Sequence, residues 1–420
     1  MTARAPLPPA PAKPPASAWG IALGYGTAAG AIAALVLWLM GRVQQALWSG
    51  PQANSAGYTV AVIMAGGVLL AVLHHARSGA PALQDAPAHP THPARPTRRS
   101  TLLLALSAVV AVGFGGAVGP EAGLLAVVAE CSAIVAWALA RNQAQRQLIQ
   151  DTGAVAALSG LYAAPPGAAM LLDEGSAAAP TPLPLKLLAG VSGLGGFMLL
   201  GHWLLPQGLQ QLPLPAHTPS GNGSDMVLAL PSAVAGALLG AVLVWLRGQL
   251  PRWLLHAGGR TRQILLGSAV FAGLAALFPL LRFSGHHELE HALQHGIHAG
   301  GWALLALALG KVLALALCLA SGWKGGEFFP ALFAGAALAA AVHLLLPGIG
   351  LTVAIMGSAG AIATVVLGKP LAVLLIVLLL AGSAAPGALF SGVLVGYFFR
   401  QYLLPRAWLA GAGAGHGHAP

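Results

Sequence analysis

Two acidic residues stand inside otherwise apolar sequence: Glu121 in Gly113-Phe-Gly-Gly-Ala-Val-Gly-Pro-Glu-Ala-Gly-Leu-Leu125, and Glu327 in Ser321-Gly-Trp-Lys-Gly-Gly-Glu-Phe-Phe-Pro-Ala-Leu332, 206 positions later. Each follows a glycine-rich break and precedes small apolar residues, which predicts an irregular segment feeding the N-terminus of a helix. The amides at such ends attract anions. Burying a carboxylate within a bilayer costs on the order of several kcal/mol, so an acid there marks function by default. Together these features point to a path for anions.

The elements that must position those acids are membrane helices. Of 420 residues, 57% are hydrophobic and 7% charged, against about a quarter charged in a soluble domain. Apolar stretches lie near 19–40, 57–75, 101–118, 121–140, 151–172, 185–205, 226–246, 263–281, 299–320, 328–346, 350–367, 369–382 and 386–404. The expected fold class is an all-α polytopic membrane protein. Several stretches fall short of the ~20 residues a full crossing needs and predict broken or re-entrant helices. The 56 glycines suit helices that pack backbone to backbone in lipid.

A net charge of +10 raises the possibility of nucleic acid, but the basic residues lie at segment ends without aromatic interleaving. The positive-inside rule accounts for them better. Arg4 and Lys13; Arg77, Arg95, Arg98 and Arg99; Arg141 and Arg146; and Arg247, Arg252, Arg260 and Arg262 mark cytoplasmic loops, while 206–225 and 283–300 hold neither Lys nor Arg and should face outside. Between Arg146 and Pro206 two apparent spans lie where an odd number is required, so at least one of them must be broken. The Pro/Ala-rich residues 1–18 read as a retained cytoplasmic tail, and 406–420 as a short C-terminal tail. The expected location is the inner, or plasma, membrane. Cys131 and Cys318 lie in apolar segments and predict no disulfide.

Gly153-Ala-Val-Ala-Ala-Leu-Ser-Gly-Leu-Tyr-Ala-Ala-Pro-Pro-Gly-Ala-Ala-Met-Leu-Leu172 resembles Gly360-Ala-Ile-Ala-Thr-Val-Val-Leu-Gly-Lys-Pro-Leu-Ala-Val-Leu-Leu-Ile-Val-Leu-Leu379, with Pro165 and Pro370 205 apart. That offset nearly equals the spacing of the two acids. An internal duplication follows, with halves at 19–205 and 226–405 joined by an external linker at 206–225. Paired broken helices from duplicated halves are how many transporters build a binding site near the midplane.

A third segment, Arg77-Ser-Gly-Ala-Pro81, combines turn formers with a hydroxyl. Gly79 and Pro81 expose backbone amides, and Ser78 can donate a hydrogen bond to an anion. The competing reading is an ordinary loop cap.

Taken in order, these segments resemble the CLC family of chloride channels and proton-coupled chloride transporters, whose signatures are Gly-Ser-Gly-Ile-Pro, Gly-x-Glu-Gly-Pro and Gly-x-Phe-x-Pro. Ser78-Gly79-Ala80-Pro81 matches the first apart from Ala80 and the leading Arg77. Gly119-Pro120-Glu121 begins the second but continues Ala122-Gly123. Gly326-Glu327-Phe328-Phe329-Pro330 matches the third throughout. The resemblance implies an inverted-repeat helical fold, with one pore in each subunit of a homodimer surrounded by membrane lipid, no cofactor and no bound metal. It implies that Ser78 and Gly79 serve a central anion site. An outer site would be lined by amides around the segment Gly119, Pro120, Glu121 and Ala122 and by those of Glu327 and Phe328. Glu121 would be the gating glutamate: ionised it competes with anions, and protonated it withdraws, which links protons to anion occupancy.

The family's transporters also use an inner acid after the Ala-Pro helix. Counting from Pro165 puts the preceding glutamate on Glu174 and the proton-handling position on Gly175, while a one-residue shift gives Asp173 and Glu174. Proton-coupled transport and a passive voltage- or pH-gated channel therefore both stay open. For the family's central-site tyrosine, Tyr397 and Tyr402 lie near, with Tyr402 as the candidate, while counting from Pro386 lands closer to Trp408. Lys324 either draws anions to the mouth or pairs with Glu327. A reading from another class comes from Ser284-Gly-His-His-Glu-Leu-Glu-His-Ala-Leu-Gln-His-Gly-Ile-His298. His287, Glu288 and His291 satisfy the His-Glu-x-x-His pattern of a zinc metalloprotease, although a loop so rich in His and Glu generates it easily. The chain is expected not to be an enzyme, and this segment to be a surface helix.

Overall fold

A computed structural model describes residues 14–78, 98–174, 181–205, 209–255, 258–285 and 288–413. The first half of the chain contributes α1 (Ala16–Trp48), α2 (Ala56–Ser78), α3 (Arg98–Gly113), α4 (Glu121–Leu139), α5 (Gln143–Tyr162), α6 (Pro165–Asp173) and α7 (Leu183–Leu204). A short α8 (Ser224–Leu228) closes the linker. The second half contributes α9 (Leu230–Leu255), α10 (Arg260–Leu277), α11 (Leu289–Ala299), α12 (Gly301–Ala320), α13 (Phe328–Leu345), α14 (Leu351–Leu367), α15 (Pro370–Leu380) and α16 (Pro386–Phe398), followed by a π-helical turn and α17 (Arg406–Gly413). Among the described residues, α1, α2, α4, α7, α9, α12 and α13 are long and apolar enough to cross a membrane, and α14 and α15 are shorter apolar helices. The chain is a multi-pass helical membrane protein.

Helix boundaries follow from local chemistry. Asn142 caps α5 by accepting from the Gln145 amide at 2.9 Å. Proline opens α6, α15 and α16 at a position where its missing N–H costs nothing. The apolar stretch 151–172 is broken between α5 and α6, as the span count required. At that break Ala163 adopts a left-handed conformation with φ 51°. The equivalent residue of the second half, Gly368, separates α14 from α15 at φ 70°. The stretch 369–382 yields only the 11-residue α15, which rises ~16 Å at 1.5 Å per residue and enters the bilayer without crossing it.

Both sets of repeat-equivalent pieces meet each other. Helices α6 and α15 pack together, and Gly119 exchanges two backbone hydrogen bonds of 2.8 Å with Gly326. Equivalent segments in mutual contact are what a pseudo-two-fold axis between inverted halves produces. Within the first half, α1, α5 and α7 lie against one another. There a Cβ on Gly30 would stand 1.8 Å from the Gly193 carbonyl oxygen, so the backbones themselves touch.

A buried lysine ties the halves together. Lys311 on α12 is fully buried and donates to the carbonyls of Leu280, Leu281, Arg282 and Phe283 at 3.3, 3.3, 3.0 and 2.8 Å. Its ammonium also sits 4.9 Å from the Phe333 ring centroid. The loop so held reaches the first half: the Phe283 amide donates to Gly115 at 3.2 Å, and Arg282 donates to Ala53 at 2.8 Å. Burying an ammonium is costly unless carbonyls replace its water, and four do so here. The consequence is a fixed floor under the glycine-rich segment that leads to Glu121.

Candidate functional site

The Gly119–Gly326 bridge sets the centre of the site. Immediately after it, α4 begins at Glu121 and α13 begins at Phe328, so two helix N-termini converge. The Glu121 side chain folds back into the notch between the two glycines. A Cβ on Gly119 would stand 1.9 Å from Glu121 Oε2, and one on Gly326 would stand 1.8 Å from it. Only glycine at both positions leaves room for the carboxylate. Its Oε1 accepts from the Phe329 amide at 3.2 Å, while Oε2 is buried with no hydrogen-bond partner among the described residues. Glu121 itself is 5% exposed. A half-satisfied buried carboxylate is poorly anchored, because an unmade hydrogen bond costs about 1–3 kcal/mol or more for a charged group. Its one hydrogen bond comes from an amide at the N-terminus of α13, a kind of donor that anions also use.

Aromatic rings wall this notch. Tyr162, buried at the end of α5, meets Phe328 edge-on with centroids 5.0 Å apart and Phe329 at 5.7 Å. Phe328 and Phe329 meet each other at 5.6 Å. Such ring-to-ring contacts pack the three aromatic side chains firmly against one another. Toward the side of the linker and the loop after α10, a cavity of about 630 Å³ is lined by Trp38, Arg42, Gln45, Trp48, Pro120 and Glu288, among others. It reaches the residue preceding Glu121 and offers an approach from that face.

Glu327 meets different chemistry. It is buried and forms an ion pair with Arg247 of α9, whose guanidinium contacts both carboxylate oxygens. Arg400 lies in the π-helical turn Phe399–Leu403. It donates to the Val365 and Val366 carbonyls at the end of α14.

A family model described as "Voltage gated chloride channel" matches residues 61–401. The chain belongs to the voltage-gated chloride channel family. A relative in Escherichia coli described as "Putative ion-transport protein YfeO" is 24% identical over 340 residues, spanning 78% of this chain and 79% of the relative. One of the same description in Escherichia fergusonii is 26% identical over 348 residues, with the same coverage of 78% and 79%. Among solved structures, a slow cyanobacterial Cl−/H+ antiporter superposes with a TM-score of 0.74 at 16% identity, covering 95% of this chain and 98% of its own. A CLC-type fluoride/proton antiporter gives 0.66 at 16% identity, covering 92% and 95%. These likenesses establish the inverted-repeat fold, and membership makes this an ion-transport protein and not an enzyme.

In this member of the voltage-gated chloride channel family, the structure brings Gly119, Pro120, Glu121, Ala122, Glu327 and Phe328 together at the crossing of α4 and α13. The Gly119 amide is taken up by Gly326. Ser78 ends α2, and Gly79 lies outside the described residues. Tyr402 stands apart from this cluster, 68% exposed in the π-helical turn and tilted against Phe398 with centroids 5.0 Å apart. At the end of α6, Asp173 pairs with Lys186 of α7. Glu174 accepts from the Leu371 and Ala372 amides at 3.0 Å each, capping α15. Of the rival zinc pattern, His287 lies outside the described residues, and Glu288 and His291 stand at the start of amphipathic α11. Among the described residues no three His, Cys, Asp or Glu side chains gather as a metal would need.

Sequence reasoning missed two participants. Arg247 marks a cytoplasmic loop by charge count, yet it sits within α9 and partners Glu327; an arginine preceded by the apolar run from Leu238 to Leu246 was the available signal. Tyr162, two residues before Ala164-Pro165, carried no signal beyond being an aromatic at a predicted helix break.

Proposed function

We propose that this protein passes chloride or a similar small anion across the membrane, with Glu121 as the gate. What carries the reading is the Glu121 carboxylate itself, wedged between Gly119 and Gly326 with one oxygen on the Phe329 amide and the other without a partner among the described residues. Ionised, it occupies the place of an anion; protonated, it loses the charge that held it and gives way. Protons and anions then compete through one side chain, and a ligand that binds one state better shifts the population toward it. Ser78 and Gly79 serve the central site in this reading. The protein works as a homodimer in the inner membrane with its N-terminus cytoplasmic, consistent with the arginines that follow α2 and end α9.

Proton coupling is the finer part of the proposal. The fluoride/proton and Cl−/H+ antiporters that share the fold favour coupling, with Asp173 and Glu174 as the inner relay. A passive channel is the second reading, and one observation favours it: Asp173 is engaged by Lys186 and Glu174 by two amides, which leaves neither acid idle.

Chloride efflux from liposomes holding the purified protein, with external pH recorded simultaneously, separates these readings. Proton movement opposite to chloride and abolished in Glu121→Ala establishes coupling. Chloride movement without protons establishes the passive path. In either case Glu121→Gln should pass anions with no pH dependence, and an unaltered pH profile in that variant removes Glu121 from the gate. No flux of chloride, bromide, nitrate or fluoride overturns the reading as a whole.

A further inference from the structure

We infer that the cavity beside Pro120 is a binding site for a small zwitterion, a solute whose anionic group is taken by Arg42 and whose cationic group is taken by Glu288. An occupant there stands across one approach to Glu121 and so competes with the anion. That effect on transport rests on the anion-transport reading; the binding itself does not.

Size and wall chemistry separate this cavity from a bare halide path. Its volume of about 630 Å³ falls in the range of small-molecule pockets, about 300–1,000 Å³. A halide is close to a water molecule in size, and about twenty such bodies would fit at ~30 Å³ each. One stripe of α1 forms a wall: Trp38, Arg42, Gln45 and Trp48 follow one another at helical spacings of 4, 3 and 3. The 33 residues of α1 rise ~50 Å, well beyond the ~30 Å of a hydrocarbon core, so these last turns can stand at the water interface. The wall is preformed, because Trp48 donates its indole N–H to the Gly113 carbonyl at 3.0 Å. Preorganised walls lower the cost of binding.

Charge decides the ligand. Arg42 and Glu288 line the same cavity from different elements, yet neither belongs to an ion pair among the described residues. Arg42 is exposed and Glu288 partly so, which leaves both within reach of a solute. Of its five donors, Arg42 directs one to Gln45 Oε1 at 3.2 Å. Glu288 stands at the N-cap of α11 without capping it by its side chain, so its carboxylate is not spent on that helix's amides. The cavity therefore carries a cationic pole on one wall and an anionic pole on another, held apart. Chloride alone would satisfy the first and be repelled by the second. A solute bearing both charges satisfies both, through the charge-assisted hydrogen bonds that guanidinium and carboxylate groups form most strongly.

The test is calorimetric titration of the purified full-length protein in detergent with glycine, γ-aminobutyrate and 6-aminohexanoate, whose two charges stand progressively farther apart. Butyrate and butylamine, with one charge each, are the controls. The best of the three zwitterions should bind at least about tenfold tighter than either control, as one charge-assisted hydrogen bond allows. Arg42→Gln and Glu288→Gln should each remove that advantage. The exchanged pair Arg42→Glu/Glu288→Arg should restore it, which a loss through misfolding would not do. Substitutions at such exposed positions cost little stability, so all three variants should keep chloride flux in liposomes. In the wild type the same zwitterion, added on the linker side, should raise the half-saturating chloride concentration there, and in Arg42→Gln it should not. Equal binding of zwitterion and butyrate, or an exchanged pair that stays weak, overturns the proposal. Chloride flux with no binding of any zwitterion also overturns it and leaves the anion-transport reading standing. Binding that depends on both residues, in a protein that moves no anion, upholds the site and overturns that reading.

Discussion

In the first half of the chain an acid opens α4 and lies against backbone; in the second half an acid precedes α13 and lies against arginine. The two stand on either side of one bridge, Gly119 to Gly326, and arise from equivalent places in a duplicated fold. Glu121 accepts from the Phe329 amide and has one oxygen without a hydrogen-bond partner among the described residues, whereas both oxygens of Glu327 meet the Arg247 guanidinium. Similar backbone thus presents two carboxylates with opposite degrees of anchoring. A loosely held acid can answer a proton. An acid held by a cation is fixed in place.

The largest break in this comparison is to strip Glu327 of its cation. Arg247→Leu leaves a buried carboxylate without its partner and should cost ~3–5 kcal/mol, whereas Arg247→Leu paired with Glu327→Leu should lie near wild type. Thermal unfolding in detergent reads both. Equal losses in the single and double variants would mean that packing by the arginine stem, and not the charge pair, is what matters.

A smaller break moves the other acid. In Gly326→Ala the new Cβ would stand 1.8 Å from Glu121 Oε2 and 2.3 Å from its carboxyl carbon, so the carboxylate must leave the notch. Anion flux should then resemble that of Glu121→Gln, with the pH response flattened although the acid is still present. Flux measured from acid to alkaline pH decides; a full pH response in this variant would show that the notch is not where the gate closes.

Much of this arrangement was legible beforehand, for identifiable reasons. The break at Pro165 and its counterpart at Pro370 were readable because proline and glycine act locally, within a turn or two of where they stand. Glu121 was readable because a lone charge in apolar sequence is conspicuous. Partnerships across the fold were not. Arg247 and Glu327 are 80 residues apart, and nothing in the sequence states which of the available cations Glu327 meets; Lys324, three residues away, was the local candidate. Lys311 was hidden for the same reason, since its four carbonyl partners lie on a loop about 30 residues earlier. Tyr402 illustrates the converse: proximity along the chain to a family motif did not bring it to the cluster.

The inner acids offer a finer contrast between the halves. Glu174, at the end of α6, caps α15 of the other half. Glu174→Gln keeps one acceptor oxygen and loses the charge at a helix N-terminus, so it should cost ~1 kcal/mol of thermal stability. If Glu174 also relays protons, the same variant stops proton movement while chloride continues. Loss of stability with proton flux intact would leave it as a cap alone.

The smallest effect sharpens the comparison where the halves differ by a methyl group. Ala163 and Gly368 occupy equivalent breaks, between α5 and α6 and between α14 and α15, and both are left-handed, at φ 51° and 70°. Glycine adopts that conformation without penalty; alanine pays ~1–2 kcal/mol because its Cβ crowds the following carbonyl oxygen. Ala163→Gly should therefore stabilise the protein, by about 1 kcal/mol once the added freedom of the unfolded chain is deducted. Gly368→Ala should destabilise it by more, because its Cβ would stand 2.5 Å from Arg400 Nε and push that guanidinium away from the end of α14. A loss in Gly368→Ala clearly larger than the gain in Ala163→Gly, read by thermal unfolding of the two variants, would tie the difference between the breaks to Arg400. Equal and small effects would mean that the arginine relaxes at no cost and that the two breaks are interchangeable.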